Sequence, residues 1–447
     1  MRISNWRAWL LHAVGWCFIA FLWSFCFVSQ LEWLKVLPQV RWIGLGALLL
    51  TAIAIWPRPF VTRDDLPLLL WALALIPCVV LAENRTLAWS GKGGPAWIGY
   101  RDLVFPALAW YGIAARSMTV PRLRWLSRGL VAGACFAAAI GYLEAATHHN
   151  VLYEYLHPQW AVDLPYLRYM RERRIMGTQS HPVLLGTLLA ICIPLAVHQT
   201  VVAGNRWKRL WLGGLTAALI GALVLTYTRG SLLALLVALA AYAILQRQRR
   251  WLLALPILLL LVVMGSTAQS FITNTAHRGS VGSERLSLAG LRTLAQHRHA
   301  GWRIKNALLA LRMTRQRPVW GYGLNHYPYL YDRYGNPQEV MKITDNSYLS
   351  LLVEAGVLGF GSLLWVFWSG CQDVRRAAGA AVTFADRSLI AAYGASWLAV
   401  ATHLATFDGL YWMLPGVFFW SGVGLLRACA AGAPPTAAVV ISHDHPA

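Results

Sequence analysis

A few charged residues stand out because of where they sit. "TDNSYLSLLVEAGVLGF", residues 344–360, opens polar and turns apolar, with Asp345 and Asn346 at its mouth and Glu354 inside it. A short polar side chain there, Thr344 or Asp345, can cap a helix by accepting backbone N–H bonds. Asp345 can also take a proton from a nucleophile. Glu354 lies eight residues past Asn346, about 12 Å along a helix rising ~1.5 Å per residue. It is expected to face the bundle interior, paired or protonated. "LTYTRGSLLALLVAL", 225–239, holds Arg229 in a tight turn between two apolar runs, with Gly230 expected to supply the bend. A guanidinium at the rim of an apolar bundle is costly unless paired or functional. Its structural partners would be Glu354 or Asp408. In "RERRIMGTQSHPVLLGTLLAICIP", 171–194, Arg174 and His181 lead into a third apolar run. Arginine there can grip phosphate oxygens with two parallel bonds, or merely snorkel to lipid headgroups.

The elements around these residues must be membrane helices. Of 447 residues, 57% are hydrophobic and 13% charged, half the charge of an ordinary soluble chain. That polar surface could not coat a soluble body. Apolar runs long enough to cross a ~30 Å hydrocarbon layer recur throughout. The expected fold class is all-α, a polytopic helical membrane protein with about twelve transmembrane helices. The spans are placed near 8–29, 40–56, 66–82, 103–115, 129–146, 182–201, 210–228, 231–245, 251–268, 347–369, 388–406 and 410–428. The basic head and apolar run at the start read as a retained first helix rather than a cleaved signal.

Charge orients the bundle. With the N-terminus in the cytoplasm, "PRPFVTRDD", "RSMTVPRLRWLSR", "GNRWKR", "QRQRR" and "CQDVRRAAGAAVTFADR" all face inside, as the positive-inside rule requires. The transmembrane domain spans 1–428, with outer loops near 147–181 and 269–346. Residues 429–447 read as a disordered cytoplasmic tail. In a soluble chain the net charge of +21 would suggest nucleic acid. Here the basic turns and an anionic substrate account for it, and no nucleic acid is expected. The loop 269–346 carries eleven basic residues against four acidic ones, which points to an anionic ligand or to anionic headgroups. Within it, "GWRIKNALLALRMTRQRPVWGYG" reads as an amphipathic helix with Ile304, Leu308, Leu311 and Met313 on its apolar side, ended by Pro318, Gly321 and Gly323. No cysteine or histidine spacing frames a metal site, and no disulfide is expected. His443 and His445 sit loosely in the tail. There is no P-loop, and "GYGLNHY" has only part of a dinucleotide fingerprint.

Three pieces taken in order resemble the O-antigen ligase and O-antigen polymerase superfamily of bacterial integral membrane glycosyltransferases. They are "RIMGTQSHP" entering a span, "TRGS" between two spans, and "GWRIKNALLALRMTRQRPVWGYGLNHY" followed by "DNSYLSLLVEAGVLGF". The last is similar to the ligase pattern of His-Asn, nine residues, then Gly-x-x-Gly, with Asp345-Asn346 and Gly356 and Gly359 in those places.

The resemblance implies a metal-independent, cofactor-free, inverting glycosyltransferase of the bacterial inner membrane with its site facing the periplasm. It would pass a glycan from undecaprenyl pyrophosphate to an acceptor saccharide, either lipid A–core or a second lipid-linked repeat, in O-antigen, lipopolysaccharide or exopolysaccharide synthesis. Arg174 and Arg229 would stabilise the departing pyrophosphate, with Arg303, Asn346, His181 and His326 binding substrate. The catalytic base would be Asp345, where ligases place a histidine, or Asp345 would only orient, with His181 and His326 as alternative bases. That departure favours a polymerase over a ligase proper. A lipid-linked glycan transporter and a polymer-docking scaffold are the competing classes. A transporter of this kind is expected to show repeat symmetry between halves, and none is visible.

Overall fold

A computed structural model describes residues 3–27, 37–56, 61–82, 95–156, 174–247, 298–335 and 343–431. The expected span 251–268 and most of the tail lie outside the described residues, as do parts of both outer loops. Among the described residues the chain is helical, with no strands: a polytopic all-α membrane protein. In order the helices are α1 (Ile3–Phe27), α2 (Leu37–Ile55), α3 (Leu66–Ala74), α4 (Ile76–Val80), α5 (Pro95–Ser117), α6 (Val120–Thr147), α7 (Val151–Leu156), α8 (Pro182–Val201), α9 (Arg206–Leu225), α10 (Arg229–Leu245), α11 (Arg298–Gln316), α12 (Tyr327–Tyr334), α13 (Ser347–Ala380), α14 (Phe384–Leu404) and α15 (Met413–Ala431). The helices α8, α14 and α15 are buried along nearly their whole length and form the centre of the bundle. Large side chains, Trp71, Trp397, Trp420 and Phe419 among them, fill the space between them.

Six described helices are long and apolar enough to cross a membrane, fewer than the twelve expected. The count covers the described residues alone, and the expected span 251–268 lies outside them. The third span is broken into α3 and α4 just before Pro77. The helix α10 is 17 residues long. Other boundaries move outward. The helix α5 begins eight residues before the expected 103 and runs through Arg101 and Asp102, which pair with each other (2.8 Å). The long α13 runs on past 369 to Ala380, where Asp373 is met by Arg376 (2.5 Å) and Arg427 (3.0 Å).

The basic turns share one end of the bundle. Asp65 accepts from Arg116 and Tyr111, both at 2.5 Å. Arg124 pairs with Asp386 at 2.6 Å, and Arg427 reaches both Asp64 (3.3 Å) and Asp373. Chain direction then carries residues 174–181, the 226–228 turn, the start of α13 and the α14–α15 loop to the opposite end.

One helix is broken. Within α13, Gly356 takes φ +62°, which frees carbonyls before it and amides after it. The segment 318–323 fills the gap. Tyr322 and Gly323 donate to the carbonyls of Val353 (3.1 Å) and Glu354 (2.9 Å), while Val357 donates to Pro318 O (2.7 Å). The "GYG" stretch is therefore a backbone splint for a membrane helix, not a nucleotide loop. A Cβ on Gly356 would run into the Val319 carbonyl, and one on Gly359 would meet Ala355 and Leu75. That is the physical content of the Gly-x-x-Gly spacing. Glu354 is buried beside the break, as expected, and takes bonds from Tyr411 Oη (2.8 Å) and the Tyr327 amide (3.3 Å).

The helix expected near 301–317 is α11, but its inward face differs from the expected one. Leu309, Ala310 and Met313 are buried against Tyr322, Tyr327 and Tyr331, and Asn306 accepts from Tyr331 Oη (2.9 Å). Ile304, Leu308 and Leu311 point outward. Apolar residues occur on both sides of this helix, and the tyrosine cluster of α12 selects the one that also carries Asn306.

Gly356→Ala is expected to destabilise the protein by about 2 kcal/mol or more, since both the left-handed backbone and the close carbonyl oppose a Cβ. Gly361→Ala, in open space on the same helix, should be neutral or slightly stabilising. Thermal unfolding in detergent would compare them; equal midpoints for the two variants would refute the splint.

Candidate active site at the end of the bundle

The "RIMGTQSHP" and "TRGS" motifs come together here. Arg174 is buried, and its Nε donates to Thr226 O (3.0 Å) while its Nη2 donates to Thr228 Oγ1 (3.3 Å). The turn that receives it is bent at Tyr227 (φ +50°), not at Gly230 as expected. Gly230 already belongs to α10, close against Thr406 and His403. Arg229 is half-buried as the first residue of α10, directly after Thr228. Arg174 thus bonds the turn that Arg229 directly follows.

His181 is the N-cap of α8. Its Nδ1 accepts from the Val183 amide (3.0 Å), and its ring meets Trp412 edge-on at 6.1 Å. Burial, with Arg174 nearby, pushes its pKa down to about 3, so it is neutral near pH 7. Trp412 packs on Phe407, and the α14–α15 loop so braced spans from the arginine turn to the start of α13. There Ser347 Oγ donates to Phe407 O (3.0 Å) and accepts from the amides of Gly409 (2.9 Å) and Leu410 (3.1 Å).

The N-cap of α13 is Asn346, whose side chain accepts from Tyr348 N (3.0 Å) and Leu349 N (3.1 Å). Asp345 does not cap. It sits one residue earlier in the left-handed region (φ +57°), and its carboxylate is paired with Arg303. Thr344 does not cap either; its hydroxyl bonds the Asn346 backbone and Ser350 Oγ (2.6 Å). The three starts of α8, α10 and α13 all point their positive dipole ends at this region, which favours an anion.

Asp408 completes the rim. Its Oδ2 accepts from Ser350 Oγ (2.8 Å), and its enclosed Oδ1 has no hydrogen-bond partner among the described residues. Burial first, and then the charge of Asp345, push its pKa up to about 6. His326, expected among the substrate ligands, is placed differently. It is fully buried just before α12, its Nδ1 lies 3.1 Å from Leu324 O, and it belongs to the loop that splints α13.

Residues 214–364 match the family model described as O-antigen ligase. Over that stretch, about a third of the chain, the protein is similar to O-antigen ligases. The matched stretch contains Arg229, Arg303, His326, Asp345, Asn346 and the broken Gly356; Arg174, His181 and Asp408 lie outside it. No curated protein matches the chain. The match supports the O-antigen ligase/polymerase superfamily, to which the order of motifs in the sequence also pointed. Thr226 and Thr228 had no sequence signal beyond their place beside Arg229. Asp408 had one: an acid between two apolar runs.

Because Asn346 is the cap, Asn346→Ala should lower stability by about 1 kcal/mol, whereas Asp345→Asn keeps the cap and tolerates the left-handed backbone. Denaturation of both variants would check this. Wild-type stability in Asn346→Ala would take the capping role from Asn346.

Proposed function

We propose that this protein transfers a glycan from undecaprenyl pyrophosphate to an acceptor saccharide at the periplasmic face of the bacterial inner membrane, in the synthesis of a surface polysaccharide. The observation that carries the reading is the convergence of Arg174 and Arg229 on one turn, beside helix N-termini at one end of the bundle. A lipid pyrophosphate leaves with its electron pair as the sugar C1–O bond breaks, and positioned guanidinium groups stabilise that charge. Arginines supply here what a metal supplies in other transferases.

The acceptor oxygen attacks C1 from the opposite face, which inverts the anomeric centre. Its proton passes to a carboxylate. Asp345 is tied to Arg303 and suits an orienting role at the acceptor. Asp408, with its unpartnered Oδ1 and a pKa near 6, suits the base, since general bases work best near the operating pH. His181, neutral and turned onto the Val183 amide, lines the donor side.

A polymerase is the favoured form, because an acid stands where ligases place histidine. A ligase proper is the second reading, supported by the description of the matched family. Deletion separates them: a single repeat on the acceptor indicates a polymerase, and carrier-bound long chains with bare core indicate a ligase. In either case Arg174→Ala and Arg229→Ala should abolish chain formation while the protein still accumulates. Wild-type chain lengths in both would defeat the proposal.

Proton transfer to Asp408 fixes the sign of the pH dependence. Transfer should slow as pH falls through about 6, where the carboxyl becomes protonated, and Asp408→Asn should be slow at every pH. Asp345→Asn should keep the acid limb. An unchanged limb in Asp408→Asn would exclude it as base.

A further inference from the structure

One buried acid has no part in the chemistry above. Glu144 lies one turn before the end of α6, buried where an isolated carboxylate is costly. Its Oε2 accepts from three donors, the amides of Met176 and Gly177 and the side-chain amide of Asn150, each at 2.9 Å. Asn150 also donates to the Gly177 carbonyl at 2.8 Å. On the other side, the Ile175 amide donates to Leu225 O (3.3 Å), next to the turn that receives Arg174. The segment 174–177 is therefore strung between a carboxylate and the end of α9. Neither Met176 nor Gly177 lies in a helix, so their amides depend on Glu144 for a partner.

We propose that Glu144 is a positioning residue for glycan transfer: by holding the Met176 and Gly177 amides it sets where the Arg174 guanidinium stands over the 226–228 turn. The inference rests on the proposed function for what Arg174 binds, but the mechanical link is independent of it. Downstream, Thr178 Oγ1 and Gln179 Nε2 donate to Cys26 O and Phe25 O, both at 2.8 Å. The segment's far end is thereby fixed without Glu144, so loss of the carboxylate loosens the arginine end selectively. Glu144→Gln keeps an acceptor oxygen in the same place and should retain part of the function; Glu144→Ala leaves two buried amides unpaired.

Two measurements test this on the full-length protein. In hydrogen exchange, Glu144→Ala should speed exchange at Met176 and Gly177 while α8 keeps its protection, and Glu144→Gln should change both less. Wild-type protection of those two amides in Glu144→Ala would overturn the inference, whatever the protein's activity. In a transfer assay from a lipid-pyrophosphate-linked glycan, Glu144→Ala should lower kcat by about 100-fold, the scale of a ~1 Å misplacement, with KM within a few-fold. Combined with Arg174→Lys it should cost little more than Arg174→Lys alone. Losses that multiply would show that Glu144 acts elsewhere and would also overturn it. A wild-type protein with no transfer activity would instead count against the proposed function, and the exchange result would still decide the role of Glu144.

Discussion

In a hydrocarbon layer a backbone group without a partner costs several kcal/mol, so irregular chain survives only where other irregular chain completes it. The whole site follows from that constraint. The break at Gly356 is completed by 318–323. The non-helical 174–181 stretch is completed by Glu144, by Leu225 and by the end of α1. The α14–α15 loop is completed by Ser347. Motifs far apart in sequence are drawn to one end of the bundle because each supplies what another lacks.

Electrostatics then gives the two ends different characters. At the end with the basic turns, charges are spent on one another: Asp65 with Arg116, Asp373 with Arg376 and Arg427, Asp386 with Arg124. At the other end Arg174 donates to a carbonyl and a hydroxyl, Thr226 O and Thr228 Oγ1, which fix its direction. Arg229 and the N-termini of α8, α10 and α13 lie at this same end, and helix N-termini favour anions. Arg303 is different, since Asp345 answers its charge.

Much of this was legible in the sequence. Charge bias grouped the turns, and the motif order pointed to the family whose model matches residues 214–364. The buried place of Glu354 followed from an acid inside an apolar run. What was not legible depended on choices between near-equivalent residues. Thr344, Asp345 and Asn346 are all good caps, and only the left-handed backbone at Asp345 passes the role to Asn346. The α11 helix is apolar on both sides, so its buried face was set by tyrosines of α12, outside its own pattern. Tyr227 rather than Gly230 makes the turn before α10, because Gly230 is needed small against Thr406. Span lengths failed where proline broke a run, as between α3 and α4, or where a helix ran on through charged residues, as α5 does through Arg101 and Asp102.

The central claim is that the arginine turn binds a lipid pyrophosphate. It is tested most directly by the affinity of the purified protein, in lipid nanodiscs, for undecaprenyl pyrophosphate carrying no sugar. The account predicts that Arg174→Ala and Arg229→Ala each weaken binding about tenfold or more, the scale of a charged hydrogen bond. Equal affinity of both variants and the wild type would contradict it.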